Sequence, residues 1–499
     1  MYNYRPMHVR KLSRSARKLN LRMSHDPVEA VRKRYILPVI TFTTFAGTSL
    51  WFAGNAVVRD IQKAWVLGDN LVAYITSSVQ VGFIVGTAVF SVTGIIDQYP
   101  PGRVFCICCL IGAFFNASIY LFAFALSQLL LLRFLIGFCL AGIYPVSLKI
   151  AKGWYDKGLG YAMGCVVCAL AAGTAFPHLI KGAGGQLPWG ATLLSVSILA
   201  ALGGIGMWWF VPDGPLLKKG AKFNPQMIVD IFKDWQYTQA SLGYYGHMWE
   251  QYSFWGFLPM MISTYAEIHG VGGVNVSLAT FFVIASGSLG SFIQGWGTKY
   301  MTNSFAAALN ISASGFCGIV HPIFFGYNSF FLYICLLVVW GWTVSADSPQ
   351  FSALASRACK PEVLGTALTV YNCIGYFMTV ISIQLCQSLS KYITMQYVSW
   401  VIAFGPVLGA AIISSRAYKE GIWLLPDNAA RPVISAKDDD SKEQEMKPIV
   451  LQVQETKPST SRAEPRIAPA ADVVFDIGEI DEPSQPTLEA DLIGARTSV

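Results

Sequence analysis

Among the ionisable side chains inside long apolar stretches, four are candidates for function, because a charged group in a membrane is costly and usually has a functional role. They are Arg133, His247, Glu250 and Asp347. His247 and Glu250 stand three residues apart, so a helix would place them on one face. An imidazole beside a carboxyl can take up and release a proton, which predicts a proton-coupling pair. The alternatives for this pair are a local structural hydrogen bond and a helix end close to water.

Asp347 and Arg133 can each serve chemistry or structure. Asp347 comes two residues before Pro349, and a proline frees a backbone carbonyl and can break a helix. The acid at this point can bind a cation, a proton or Arg133, or it can cap the broken helix. Arg133 can pair with an acid or hold an anion through its planar guanidinium, or it can extend to the membrane surface.

Aromatic and amide side chains accompany these ionisable residues. Trp51 and Asn55 share the first apolar stretch, while Gln80 and Asn372 lie in two others. The seventh stretch holds a dense aromatic series of Tyr244, Tyr245, Trp249, Tyr252 and Trp255. A cavity for a polar solute combines apolar and aromatic walls with a few polar groups, although interfacial belts use the same aromatic residues. We take Trp51, Asn55, Tyr244 and Asn372 as candidate solute contacts.

The elements that position these residues must span a membrane. The 499-residue chain is 54% hydrophobic and 13% charged, with a mean hydropathy of +0.46. An ordinary soluble domain is about 25% charged. Only about 27 charged residues lie between positions 36 and 415, and the others are in the terminal segments. The net charge of +7 reflects a basic N-terminal arm beside a membrane, so it does not indicate nucleic-acid binding.

Apolar stretches close to membrane-span length, about 20 residues, recur about twelve times. This predicts an all-α membrane protein with twelve transmembrane helices in two six-helix halves. The predicted spans are 36–58, 72–95, 104–126, 128–150, 159–181, 190–211, 239–265, 276–298, 304–326, 329–356, 363–387 and 394–415. The predicted organisation is a basic arm (1–35), a first bundle (36–211), a linker (212–238), a second bundle (239–415) and a tail (416–499).

The distribution of basic residues predicts how the helices cross the membrane. About ten Lys and Arg residues precede Tyr35, and most basic residues of the short loops fall on the same side. With an even number of spans, both termini are predicted to be cytosolic. The tail is rich in Glu, Asp, Ser, Pro and Lys and poor in aromatics, which predicts disorder. It is either an inert tail or a binding segment for a cytosolic partner.

The two halves carry a matching pattern of small residues and proline. Aligning Pro145 of the fourth span with Pro349 of the tenth places Gly137 on Gly341. The offset of about 204 residues fits two six-helix halves related as parallel repeats. Small residues are common in membrane helices because they let helices approach closely in lipid, so this match alone is weak evidence for a repeat. The longer connection at 212–238, which divides the helices six and six, supports the repeat independently.

With this repeat, the chain resembles the major facilitator superfamily over residues 36–415. The loop after the second span, Gly94-Ile-Ile-Asp97-Gln-Tyr-Pro-Pro-Gly102-Arg103, is similar to the signature loop of that superfamily. The resemblance implies that Asp97, Gly102 and Arg103 help to hold a cytoplasmic gate shut. The sequence departs from the signature because its first Gly is one position late and a Gln replaces an Arg.

Further stretches refine the resemblance. Arg133 with Gly137 resembles the fourth-helix motif of the superfamily, which implies a buried arginine linked to proton coupling. The stretches 133–145, 172–178 and 246–250 look most like an uncharacterised group of bacterial-type permeases, loosely similar to nitrate/nitrite and cyanate permeases. Dedicated nitrate transporters carry an Arg in the second and the eighth helix. This chain has none there, so nitrate is not carried over as its substrate.

These features predict a secondary active transporter that alternates access between its halves and moves a small polar or anionic solute, coupled to protons. The alternatives are a polytopic membrane enzyme and a non-transporting sensor built on a transporter fold. The chain has no Walker loop, Gly-rich dinucleotide turn or metal-ligand spacing, so we expect neither an enzyme nor a cofactor. The expected partners are the solute, protons and the lipid bilayer, without nucleic acid. The sequence is compatible with a location in the plasma membrane and with one in an organelle membrane.

Overall fold

A computed structural model describes residues 27–422, with gaps at 69, 124, 156–158, 186, 218–223 and 361–362. Side chains are described from Tyr35 onward, with the exception of Asp97. The predictions for most of the basic arm and for the disordered tail fall outside these residues and stay predictions.

Long helices, numbered α1 to α12, build the described chain. The first half contains α1 (Pro27–Thr48), α2 (Leu71–Thr93), α3 (Pro101–Phe122), α4 (Leu126–Trp154), α5 (Leu159–Ala183) and α6 (Trp189–Phe210). The second half contains α7 (Trp235–Ile268), α8 (Val276–Gly297), α9 (Asn303–Gly326), α10 (Phe330–Ala358), α11 (Leu364–Leu389) and α12 (Met395–Glu420). Short helices connect them at Ala53–Ala56, Val58–Trp65, Ile95–Gln98, Pro225–Met227 and Ile228–Lys233. The predicted all-α fold is confirmed.

Most of the long helices are apolar along their length, whereas α7 is not. In the described part of the chain, ten helices are long and apolar enough to cross a membrane, and the apolar part of α1 is limited to Tyr35–Thr48. The remaining helix, α7, is rich in aromatic and polar side chains, and every residue from Gly243 to Leu258 is buried. A helix surrounded by protein needs no lipid-facing apolar surface. The candidate residues of α7 therefore lie in the protein interior.

Helices α4 and α10 are broken at equivalent places. The first part of α4 ends at Leu140 and the second begins at Tyr144, directly before Pro145. The first part of α10 ends at Ala346 and the second begins at Ser348, directly before Pro349. Proline has no N–H and its ring clashes with the preceding turn, but it is well tolerated in the first turn of a helix. Each proline therefore starts a new helical segment.

The glycines that align in the two halves make the same contact. A Cβ atom added to Gly137 of α4 would overlap the carbonyl oxygen of Val79 in α2, and one added to Gly341 of α10 would overlap the carbonyl oxygen of Val283 in α8. Val79 and Val283 are separated by the same 204 positions as the two glycines. Only glycine allows the backbones to come this close. The internal repeat therefore exists in packing as well as in sequence.

Helices α5 and α8 pack against each other across the two halves. Near the start of α5, a Cβ atom added to Gly164 would lie 3.2 Å from the Cα of Gly295 in α8. Near the end of α5, the Asn275 Nδ2 at the start of α8 donates a hydrogen bond to the Gly182 carbonyl at 2.8 Å. The two halves therefore touch at both ends of this helix pair.

Helices α2 and α11 form the second connection between the halves. The hydroxyl oxygens of Ser91 and Thr369 lie 2.8 Å apart at one end of the pair. At the other end, the Gln384 Nε2 donates to the Ser77 hydroxyl at 2.8 Å. The two halves therefore also touch at both ends of this pair.

Candidate functional site

His247 and Asp347 form a buried pair between α7 and α10. The His247 Nδ1 lies 2.8 Å from the Asp347 Oδ1, and both side chains are 0% exposed. Asp347 occupies the break in α10 and immediately precedes the segment Ser348–Ala358. A carboxylate at a helix N-terminus is stabilised by the partial positive charge of the first turn. The N-terminus of the second α10 segment and the His247 imidazole therefore both help to stabilise the buried Asp347 carboxyl.

Glu250 lies about one helical turn beyond His247 and is held by two donors. The Trp340 indole nitrogen of α10 donates to Oε1 at 2.6 Å, and the Ser314 hydroxyl of α9 donates to Oε2 at 2.8 Å. The Glu250 side chain is 0% exposed. A buried carboxylate is costly unless hydrogen bonds compensate it. The sequence spacing did not identify Trp340 and Ser314, because they follow Glu250 by 90 and 64 residues.

Arg133 binds backbone carbonyls at the end of α1. Its Nη1 donates to the Leu50 carbonyl at 3.2 Å and its Nη2 donates to the Trp51 carbonyl at 2.5 Å. The side chain is 0% exposed, so it does not extend to the membrane surface. The structure does not bring Arg133 to Asp347, since the Asp347 carboxylate is paired with His247. Leu50 and Trp51 follow the last residue of α1, where carbonyls have lost their helical partners.

A cluster of aromatic rings, the aromatic layer, lies between the two halves. It consists of Trp51, Phe52, Phe83, Tyr252, Trp255 and Tyr376. The Trp51 and Tyr376 rings are stacked with centroids 5.7 Å apart, and the Phe83 and Tyr376 centroids are 4.2 Å apart. The Tyr252 and Tyr376 hydroxyls lie 3.0 Å apart. Sequence reasoning did not select Phe83 or Tyr376, because aromatic residues in α2 and α11 give no signal of a contact between those helices.

The other candidate solute contacts lie on either side of this layer. The Asn55 Nδ2 donates to the Thr76 hydroxyl of α2 at 2.6 Å, within the first half. The Tyr244 hydroxyl of α7 donates to the Asn372 Oδ1 of α11 at 3.4 Å, within the second half. The Tyr244 ring also stacks near His247, with centroids 5.8 Å apart. Tyr244 and Asn372 are therefore brought together, whereas Asn55 and Trp51 belong to the opposite half.

The loop after α2 carries the predicted gate residues. Gly94 ends α2 with a left-handed φ of 65°, which an L residue with a side chain rarely adopts. Asp97 lies in the short helix Ile95–Gln98, and its side chain is outside the described part of the chain. Gly102 is buried in the first turn of α3 while Arg103 is exposed. The gate function of Asp97, Gly102 and Arg103 stays a prediction.

Most of the chain matches the sequence model of a known protein family. The model of the Major Facilitator Superfamily matches residues 39–383, which is more than half of the sequence. The chain belongs to the Major Facilitator Superfamily. The resemblance inferred from the motifs is thereby confirmed at the level of the superfamily. The protein is accordingly a multi-pass integral membrane protein and a secondary transporter rather than an enzyme.

Solved structures support the same fold. The superfamily's proton:xylose symporter XylE, bound to 6-bromo-6-deoxy-D-glucose, is similar with a TM-score of 0.60 and 12% identity. The similarity covers 78% of this chain and 96% of that chain. No curated protein sequence matches this transporter. At 12% identity the likeness establishes the fold and leaves the solute to be inferred from the site.

The four ionisable candidates of the transporter lie inside its halves. His247, Glu250 and Asp347 lie together inside the second half, and Arg133 lies inside the first. The aromatic layer stands between the two halves. The arrangement thus places a buried cluster of ionisable side chains beside an aromatic contact surface between the halves.

Proposed function

We propose that this transporter couples solute movement to protons through the cluster of His247, Glu250 and Asp347. The observation that carries the proposal is the buried His247–Asp347 contact of 2.8 Å, one turn from the doubly hydrogen-bonded Glu250. The cluster contains two carboxyls and one imidazole, so adding or removing one proton changes its charge by a full unit. Such a change inside protein has a large energetic effect on neighbouring helices.

The proton would act on the halves through α7 and α10. These helices carry the cluster, and α7 also contributes Tyr252 and Trp255 to the aromatic layer. A change in protonation can therefore alter how α7 packs on the first half. Alternating access requires the two bundles to move against each other around a central site. The proposed solute is small and polar, with Trp51, Asn55, Tyr244 and Asn372 as its candidate contacts.

The membrane orientation is part of the same proposal. The basic residues of the arm and the short loops favour a cytosolic location for both termini. The gate residues Asp97, Gly102 and Arg103 would then lie on the cytosolic side, as the family resemblance implies. A cytosolic partner of the tail is a separate prediction.

Substitution of Glu250 tests the coupling. A metabolite comparison between cells with and without the protein first identifies a transported solute, and uptake is then measured in proteoliposomes with an imposed pH gradient. Glu250→Gln keeps the side-chain shape but cannot ionise, so we expect gradient-driven accumulation to fall at least about tenfold. Solute exchange without a gradient should persist.

Glu267→Gln provides the matched control, because Glu267 lies on the same helix and is exposed. This variant should accumulate solute as the wild type does. Unchanged proton-driven accumulation in Glu250→Gln would show that the cluster is structural.

A further inference from the structure

Two exposed basic residues contact the opposite half of the transporter, one on each side of the membrane-spanning region. Arg59 belongs to the short helix Val58–Trp65 between α1 and α2, and Lys299 belongs to the loop between α8 and α9. We call the sides that carry these connections the α1–α2 face and the α8–α9 face. One long helix precedes the first connection and eight precede the second, so the two faces are opposite.

Arg59 connects the first half to α7 on the α1–α2 face. Its Nη2 donates a hydrogen bond to the Ser263 hydroxyl. That hydroxyl donates its own proton to the Met260 carbonyl at 3.0 Å, which leaves its lone pairs to accept from the guanidinium. The short helix is held to the first half, because Asp60 pairs with Lys181 of α5 at 2.8 Å. The guanidinium therefore reaches the second half from a helix that is anchored in the first.

Lys299 makes the contact between the halves on the α8–α9 face. Its Nζ lies 5.8 Å from the centroid of the Tyr161 ring near the start of α5, within the roughly 6 Å at which an aromatic face attracts a cation. The same ring meets the Phe292 ring of α8 edge to face, with centroids 5.6 Å apart. Tyr161 of the first half therefore contacts both a cation and a ring of the second half.

Both contacts between the halves are made to neutral partners. The described pairs of a carboxylate with a basic side chain lie within one half or within the linker: Asp60 with Lys181, Asp230 with Lys233, Asp347 with His247, and Glu420 with Arg416. Among the described residues, neither Arg59 nor Lys299 forms such a pair. A cation over an exposed ring is a weak contact. Weak contacts can favour one of two arrangements without preventing their exchange.

Building on the alternating access of the proposed function, we propose that Arg59 and Lys299 set the balance between its two arrangements, each by stabilising the closed form of its own face. Opening of the α1–α2 face separates Arg59 from Ser263, and opening of the α8–α9 face separates Lys299 from Tyr161. Loss of one cation should therefore favour opening of its own face. The two losses should act in opposite directions.

Thiol labelling of the purified full-length protein in lipid nanodiscs tests this proposal. Ser77→Cys reports on the α1–α2 face and Thr369→Cys on the α8–α9 face, since each native residue contacts the other half there. Labelling by a maleimide is followed by peptide mass spectrometry, which separates each reporter from the native cysteines. We expect Lys299→Gln to raise the labelling rate of Thr369→Cys at least about twofold without raising that of Ser77→Cys. Arg59→Gln should do the reverse.

Matched variants separate these contacts from a general loss of charge. Lys63→Gln and Lys360→Gln each remove an exposed positive charge, on the α1–α2 face and the α8–α9 face respectively, and should label like the wild type. Tyr161→Phe keeps the ring and should also label like the wild type, whereas Tyr161→Leu should match Lys299→Gln. Because the two residues act through one contact, Lys299→Gln combined with Tyr161→Leu should label no faster than either variant alone.

The inference is overturned if neither Arg59→Gln nor Lys299→Gln changes the labelling, if both favour opening of the same face, or if Lys63→Gln, Lys360→Gln or Tyr161→Phe reproduces the effect. The measurement needs neither a solute nor a proton gradient. Its failure therefore leaves the coupling role of Glu250 to be judged by uptake alone.

Discussion

At the scale of single residues, Arg133 holds the backbone of α1 where the helix ends. Its terminal nitrogens donate to Leu50 and Trp51, and a Cβ atom on Gly54 would lie 3.0 Å from its Nε. Carbonyls released at a helix end find no water inside a bilayer, so they need a protein donor. Arg133 therefore positions Trp51, whose ring lies in the aromatic layer.

Replacing Arg133 by Met tests this positioning role. Met keeps much of the side-chain volume but leaves two buried carbonyls unpaired, at a cost of about 1–3 kcal/mol each. We expect the unfolding temperature of Arg133→Met to fall by several degrees, with Arg133→Lys between this variant and the wild type. Arg357→Met, at an exposed site in the last turn of α10, should unfold like the wild type. Equal unfolding temperatures for Arg133→Met and Arg357→Met would rule out the role.

At the scale of helices, glycines determine how closely the elements approach. Gly137 and Gly341 bring α4 onto α2 and α10 onto α8 within the halves. Gly164 and Gly295 bring α5 onto α8 between the halves. Contacts within a half can stay fixed during transport, whereas contacts between halves must form and break. A side chain added at Gly295 should therefore affect transport more than folding.

Gly295→Val tests the contact between α5 and α8. The added methyl groups would overpack this crossing at a cost of about 1–3 kcal/mol, which corresponds to about a 5- to 150-fold change in the equilibrium between arrangements. We expect solute uptake to fall within that range while the unfolding temperature changes little. Gly297→Val is the matched control, since the nearest atom to a Cβ there is the flexible Met301 side chain at 4.0 Å. A similar loss in both variants would argue against a specific crossing.

At the scale of the whole molecule, the two halves touch at both ends of both helix pairs. For α2 and α11 the end contacts are Ser91 with Thr369 and Ser77 with Gln384. Alternating access requires the halves to part at one end while they stay together at the other. Holding one of these ends closed should therefore stop the cycle without damage to either half.

A disulfide between Ser91→Cys and Thr369→Cys provides that test. The native hydroxyl oxygens are 2.8 Å apart, so the two side chains are close enough for a bridge. We expect oxidation of the double variant to abolish solute uptake and a reductant to restore it. Each single cysteine variant should transport under both conditions. Full uptake by the cross-linked protein would show that α2 and α11 do not separate at this end.

Much of the fold was predictable from local composition. Twelve apolar stretches, the matching glycines and the prolines near positions 145 and 349 each reflect a requirement of one helix in lipid. His247, Glu250 and Asp347 were predictable for the same reason, because polar groups inside apolar stretches stand out. The partners were not predictable. Trp340 and Ser314 are ordinary residues of their own helices until packing brings them to Glu250.

The sequence by itself determined that this chain is a helical membrane transporter with an internal repeat, since hydropathy, charge placement and motifs act along the chain. Only the tertiary structure decided which groups pair with which. It places Asp347 in contact with His247 and lets Arg133 donate hydrogen bonds to the carbonyls that follow α1. It also left the Gln80 amide of α2 without a hydrogen-bond partner among the described residues. The physical reason is that hydrogen bonds and ring contacts depend on distances between helices, and no spacing within one helix encodes those distances.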